Sequence, residues 1–158
     1  NMANLKELLE MALRAEIDSN RIYNEFSEKV KNALLKEKLR FLANEEAKHK
    51  VLIENIIKMK FPGEEINIPE STQVPLPEIK IEEKDPISKL LLQAMNVEKE
   101  TSKFYSQIAE KLDYETGSLM RYLSSVEMSH YYFLEAEKEI AMRFEDYDQY
   151  FEMMHVGP

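Results

Sequence analysis

LRFLANEEAKH, residues 39–49, and MRYLSSVEMSH, residues 120–130, are two versions of one pattern. Each opens on an apolar residue and an arginine, then an aromatic and a leucine. Each ends in Glu-x-x-His: Glu46 and His49 in the first copy, Glu127 and His130 in the second. The copies stand 81 positions apart. In both, the glutamate falls four residues after a leucine (Leu42, Leu123), and the histidine three before another apolar residue (Leu52, Phe133). Steps of three and four follow one face of an α-helix, so glutamate and histidine share a face and interrupt an apolar stripe.

Working outward, each copy is preceded by another helical stripe. Leu5, Leu8, Leu9, Ala12, Ala15, Ser19, Ile22, Phe26 and Val30 form the first; Leu90, Leu91, Ala94, Val97, Thr101, Phe104 and Ile108 form the second. Glu16 and Glu98 break these stripes, and Tyr23 and Tyr105 follow seven residues after them, at an offset of 82. Two nearly equal offsets point to a duplicated helix hairpin.

The stripes predict helices at 4–30, 32–60, 85–113 and 117–144. The second carries Leu35, Leu39, Leu42, Leu52, Ile56 and Met59 and stops at Phe61-Pro62-Gly63. Asp85-Pro86 reads as an N-cap followed by proline at the first helical position. The fourth helix is expected from Thr116-Gly117, with Met120, Leu123, Val126, Phe133, Leu134 and Ile140 inward. Residues 145–158 are a C-terminal tail.

Between the second and third helices, residues 61–84 contain Pro62, Pro69, Pro75 and Pro77 and cannot be one helix. A helix of about 27 residues is about 40 Å long, and about 24 extended residues span more than that. The expected architecture is therefore all-α: a four-helix bundle in one domain, two antiparallel hairpins joined by a long crossover.

Composition narrows the function. The chain has 158 residues, 44% hydrophobic and 32% charged, with a net charge of −9. Such an acidic surface disfavours nucleic acid and anionic membranes as partners. No apolar run approaches the roughly 20 residues of a bilayer span, and the charged first segment does not read as a signal peptide. With no cysteine there is no disulfide or thiolate metal site. A cytoplasmic setting is expected.

The six stripe-breaking residues, Glu16, Glu46, His49, Glu98, Glu127 and His130, fall near the middle of their helices and can meet at one level of the bundle. Four carboxylates and two imidazoles in a core are unfavourable alone: each buried carboxylate costs several kcal/mol, and like charges add to that. Two divalent cations bring four positive charges against four carboxylates and neutralise the site. Oxygen and imidazole donors without sulfur suit iron, manganese or zinc.

On these residues the sequence resembles the ferritin-like di-iron carboxylate proteins, and most closely the rubrerythrin branch. The resemblance runs from about residue 4 to 144. It implies two iron ions, with manganese or zinc as substitutes. Glu16 and Glu98 would each be terminal on one metal, Glu46 and Glu127 would bridge, and His49 and His130 would each complete one metal. Tyr23 and Tyr105 occupy the place of tyrosines that hydrogen-bond to ligand carboxylates.

Two departures stand out. Full-length rubrerythrins carry an iron module bound by four cysteines, which this sequence cannot build. They also have an extra glutamate three residues after the first one on the third helix; here that residue is Thr101, and Glu100 points away from it. A third Glu-x-x-His, Glu152 to His155, lies in the tail without a partner helix and reads as coincidence.

The resemblance implies reduction of hydrogen peroxide, or of O₂, with an external electron-donor protein. The other readings are a ferroxidase or iron-handling protein and a non-enzymatic, metal-stabilised bundle. A homodimer is expected, because the helices carry apolar residues beyond one narrow stripe.

Overall fold

The computed structural model describes residues 4–71, 82 and 84–143. It contains α1 (Leu5–Lys29), α2 (Ala33–Lys60), α3 (Ile87–Ala109) and α4 (Tyr114–Arg143), with no strand among the described residues. α1 lies along α2 and α3 along α4, while α1 meets α3 and α2 meets α4 across the bundle. The architecture is the four-helix bundle that the stripes predict. Phe144, the tail with its Glu152 and His155, and Pro75 and Pro77 of the crossover lie outside the described residues.

Both ends of the crossover are tied to α1. At the start of that helix, Lys6 Nζ donates to the Glu65 carbonyl at 2.6 Å, and Glu10 Oε2 accepts from the Asn67 backbone N–H at 2.6 Å. At its end, Lys29 Nζ donates to the Glu82 carbonyl. Lys6 and Lys29 are about 35 Å apart along a helix, so the described ends of the segment stand at opposite ends of α1.

Two helix starts differ from expectation. α3 begins at Ile87 with Pro86 as its cap residue, because Pro86 is extended (φ −65°, ψ 148°) rather than helical. Asp85 therefore does not cap; its carboxylate meets Lys89 Nζ at 2.9 Å. α3 ends at Ala109 and α4 starts at Tyr114, because Asp113 belongs to the second helix of the pair. Its Oδ2 accepts from Thr116 N and its carbonyl accepts from Gly117 N. Gly117 thus sits inside α4, not at its edge.

The repeat extends to these small interactions. Asn32 caps α2 through Leu35 N at 2.8 Å and is 81 positions before Asp113. Asn20 Nδ2 on α1 donates to the Ala43 carbonyl on α2 at 2.7 Å; Ser102 Oγ on α3 donates to the Ser124 carbonyl on α4 at 2.8 Å. The offsets are again 82 and 81, since Tyr105 to Asp113 is one residue shorter than Tyr23 to Asn32. The shorter connection draws α4 close to the end of α3. A Cβ on Gly117 would stand 3.0 Å from the Ala109 carbonyl oxygen, so the missing side chain permits that approach.

Two apolar clusters fill the bundle. One gathers Leu9, Leu13, Ile53, Ile56, Ile57, Phe104, Met120 and Leu123 near the start of α1. The other gathers Phe26, Leu35, Leu39, Leu90, Leu91 and Leu134 near its end. Each fully buried aliphatic side chain contributes about 1.5–3 kcal/mol. Met59 and Ile140, expected inward, are instead exposed, at 54% and 37%.

Candidate metal centre

Between the two apolar clusters the bundle turns polar. Glu16 and Glu98 are supplied by α1 and α3, Glu46 with His49 by α2, and Glu127 with His130 by α4; all six are buried. Each side chain occupies a core position because its neighbours one turn away are apolar (Ala12 and Ala94, Leu42 and Leu123, Ile53 and Leu134) and anchor that face inward.

The six form two overlapping sets. Glu16, Glu46, His49 and Glu127 offer four ligand atoms all within 4.8 Å of one another, and so do Glu46, Glu98, Glu127 and His130. His49 Nδ1 lies 2.8 Å from Glu127 Oε1, 3.7 Å from Glu46 Oε1 and 3.8 Å from Glu16 Oε1. His130 Nδ1 lies 3.2 Å from Glu46 Oε1, 3.6 Å from Glu98 Oε2 and 3.8 Å from Glu127 Oε2. Glu46 and Glu127 belong to both sets, whereas Glu16 and Glu98 belong to one each. The imidazole rings stack nearly parallel, 5.9 Å between centroids and 8° between planes.

The tyrosines cross between the hairpins. Tyr23 on α1 donates to Glu98 Oε1 on α3 at 2.5 Å, and Tyr105 on α3 donates to Glu16 Oε1 on α1. Burial, then the neighbouring carboxylates, push both phenols well above their ordinary range, so both keep the proton they donate.

Several candidate ligand atoms make no hydrogen bond within the protein. Glu16 Oε2, Glu46 Oε1, Glu98 Oε2 and His130 Nδ1 are buried without a hydrogen bond. Burial, then the charges of Glu127, Glu16 and Glu98, push the Glu46 carboxyl well above the usual range. Burial, then Glu98 and Glu16, do the same to Glu127. Burial acts to raise Glu98 as well, but Glu127, His130 and Tyr23 outweigh it and hold that carboxyl low. His130 is raised to about 10: burial opposes its charge, but Glu46 and Glu98 facing it prevail. Unmet oxygen and nitrogen atoms, surplus negative charge and shared carboxylates are what a pair of divalent cations satisfies.

A family model described as Rubrerythrin matches residues 7–138. The chain belongs to the rubrerythrin family. Among solved structures it is similar to a hypothetical protein from Pyrococcus furiosus, 34% identical, with a TM-score of 0.78 over 89% of this chain and 92% of that one. It is also similar in fold to a Thermotoga maritima protein described as a ferritin-like diiron-carboxylate protein. That match is 18% identical, with a TM-score of 0.71 over 87% of this chain and 95% of that one. A comparison with curated proteins gives no match.

All eight residues singled out in the sequence thus meet at one place in this rubrerythrin fold. Not every buried acid belongs there. Glu10 holds the crossover through Asn67, and Glu137 pairs with Lys38 between α4 and α2. Thr101, which stands where rubrerythrins have an extra glutamate, is also buried at this level, and its Oγ1 has no hydrogen-bond partner. No helix among the described residues is long and apolar enough to cross a membrane.

Proposed function

We propose that this chain holds two iron ions and uses them to reduce hydrogen peroxide with electrons from an external donor. The observation that carries the reading is the pair of buried four-ligand sets sharing Glu46 and Glu127. Membership of the rubrerythrin family favours peroxide as the oxidant. Glu16, Glu46, Glu127 and His49 would hold one ion, and Glu98, Glu46, Glu127 and His130 the other.

Bound iron supplies the electrons and the Lewis acidity. Reduction of peroxide takes up two electrons and two protons and gives two waters; the electrons would come through bound iron from the external donor. The protein does the rest. Tyr23 and Tyr105 fix Glu98 and Glu16 by one hydrogen bond each, leaving the other carboxylate oxygen to face a cation. The apolar clusters above and below keep bulk water from the polar layer. With raised pKa values, Glu46 and Glu127 hold protons that cations displace.

The test is anaerobic loading with Fe²⁺, metal counting, and separate mixing with peroxide and with O₂ under stopped-flow absorbance. Two irons per chain, faster oxidation by peroxide and turnover with an added reductant support the proposal. Faster oxidation by O₂ with continued Fe²⁺ consumption would make the chain a ferroxidase. Tight zinc binding without redox response would leave a metal-stabilised bundle.

A further inference from the structure

Glu98, Thr101 and Tyr105 lie on one stripe of α3, three and four residues apart, and so face the same way. The outer two both reach the polar layer. Glu98 accepts from Tyr23 and stands 3.6 Å from His130, and Tyr105 donates to Glu16. Thr101 sits between them, 2% exposed, and its hydroxyl makes no hydrogen bond. A helical threonine usually turns its hydroxyl back to the carbonyl three or four residues earlier. This one does not, although an unmet buried hydroxyl costs about 1–3 kcal/mol. Valine has the same shape and no such cost, so packing alone gives no reason for threonine here.

The repeat places Ser19 at the equivalent position after Glu16, 82 residues earlier. Ser19 is only half-buried. The dry hydroxyl is therefore contributed by α3 and has no equally buried counterpart on α1.

We infer that Thr101 is a binding residue for a small anionic or oxygen-centred ligand held at the cation pair, to which its hydroxyl donates a hydrogen bond. The inference rests on the two-metal reading above. A hydroxyl donor supplied by α3, without an equally buried counterpart on α1, makes the two cations inequivalent toward added ligands despite their matching ligand sets. Because threonine is not ionised, it can donate to a bound anion without adding a further negative charge to the layer.

Azide is the probe. Protein loaded with iron and oxidised is titrated with azide, and the azide-to-iron charge-transfer absorbance gives the dissociation constant. Metal content is counted in the same samples. Thr101→Val should keep two irons per chain and weaken azide by about tenfold, the size expected for one good hydrogen bond to a charged group. Thr101→Ser, which restores the hydroxyl, should bind azide within about threefold of the parent. Equal azide affinity for Thr101→Val at full iron content overturns the inference, and so does iron loss in that variant, which would make Thr101 part of the metal-holding set. Failure of the parent chain to bind two irons is a different result: it removes the metal-centre reading, and this inference with it.

Discussion

Tyr23 on α1 donates its hydroxyl proton to Glu98 on α3, 2.5 Å away, in the opposite hairpin. Tyr105 returns the same contact from α3 to Glu16 on α1. Each hairpin thus orients the outer carboxylate of the other. Rotating one hairpin against its neighbour disturbs both bonds together, so the geometry of the centre reports on the packing of the whole bundle.

Removing one phenol hydroxyl leaves its carboxylate without a buried donor. Tyr23→Phe and Tyr105→Phe should each still load metal, with affinity lowered by about 10–100-fold, as is usual when a residue supporting a ligand is lost. Competition with a coloured chelator measures this. The near two-fold symmetry of the contacts predicts similar losses for the two variants; a large loss for one alone would show that the two halves are unequally supported.

Shared and unshared carboxylates separate in a metal count. Glu46→Ala or Glu127→Ala removes a ligand from both sets and should abolish loading of the pair. Glu16→Ala or Glu98→Ala touches one set and should leave about one metal per chain. Elemental analysis after gel filtration decides it. Full metal content in both Glu46→Ala and Glu127→Ala would refute their bridging role.

The metal-free protein should lose stability as pH rises. Glu46 and Glu127 have folded-state values above those of the unfolded chain, so their contribution is complete below the unfolded carboxylate range and is lost as pH rises through the folded values. His130 acts in the same direction: its contribution is complete below 6.5 and is lost as pH rises through about 10. Glu98, held low, works at the acid end only. Unfolding midpoints of chelator-treated protein should fall between these limits, and those of loaded protein should fall less. Adding metal at neutral pH to unbuffered protein should release protons, read with a pH-stat.

Asp113 offers an independent pH signature away from the centre. Lys60, then Thr116, hold its carboxyl far below the usual aspartate value. Its contribution is therefore present above 3.8 and is lost as pH falls through the lowered folded value. Asp113→Ala should unfold at a lower temperature than the parent at neutral pH, with the gap closing in strong acid. Asn32→Ala, at the equivalent cap of α2, should lower the midpoint without that pH dependence.

The candidate ligands were readable because charge in an apolar stripe has few explanations, and here it occurred four times in two matched pairs. Helix starts were less readable, because Asp85 and Gly117 carry familiar local signals that the surrounding structure overrides. Yet the repeat held the answer: Asn4 plus 82 gives Pro86, and Asn32 plus 81 gives Asp113, the residues that open α3 and α4. Thr101 was legible as the residue standing where the family has an extra glutamate, but a role for its hydroxyl was not, because a hydroxyl on an apolar stripe looks like any threonine in a helix. Its lack of a partner exists only in three dimensions.

Every candidate ion in this centre takes three of its ligands from one hairpin and the fourth from the other. A primitive gene encoding a single hairpin could assemble the same cage only by pairing two identical copies. Fusing those copies would have changed a concentration-dependent encounter into an intramolecular one, and afterwards freed each half to diverge, as the unequal Ser19 and Thr101 have done.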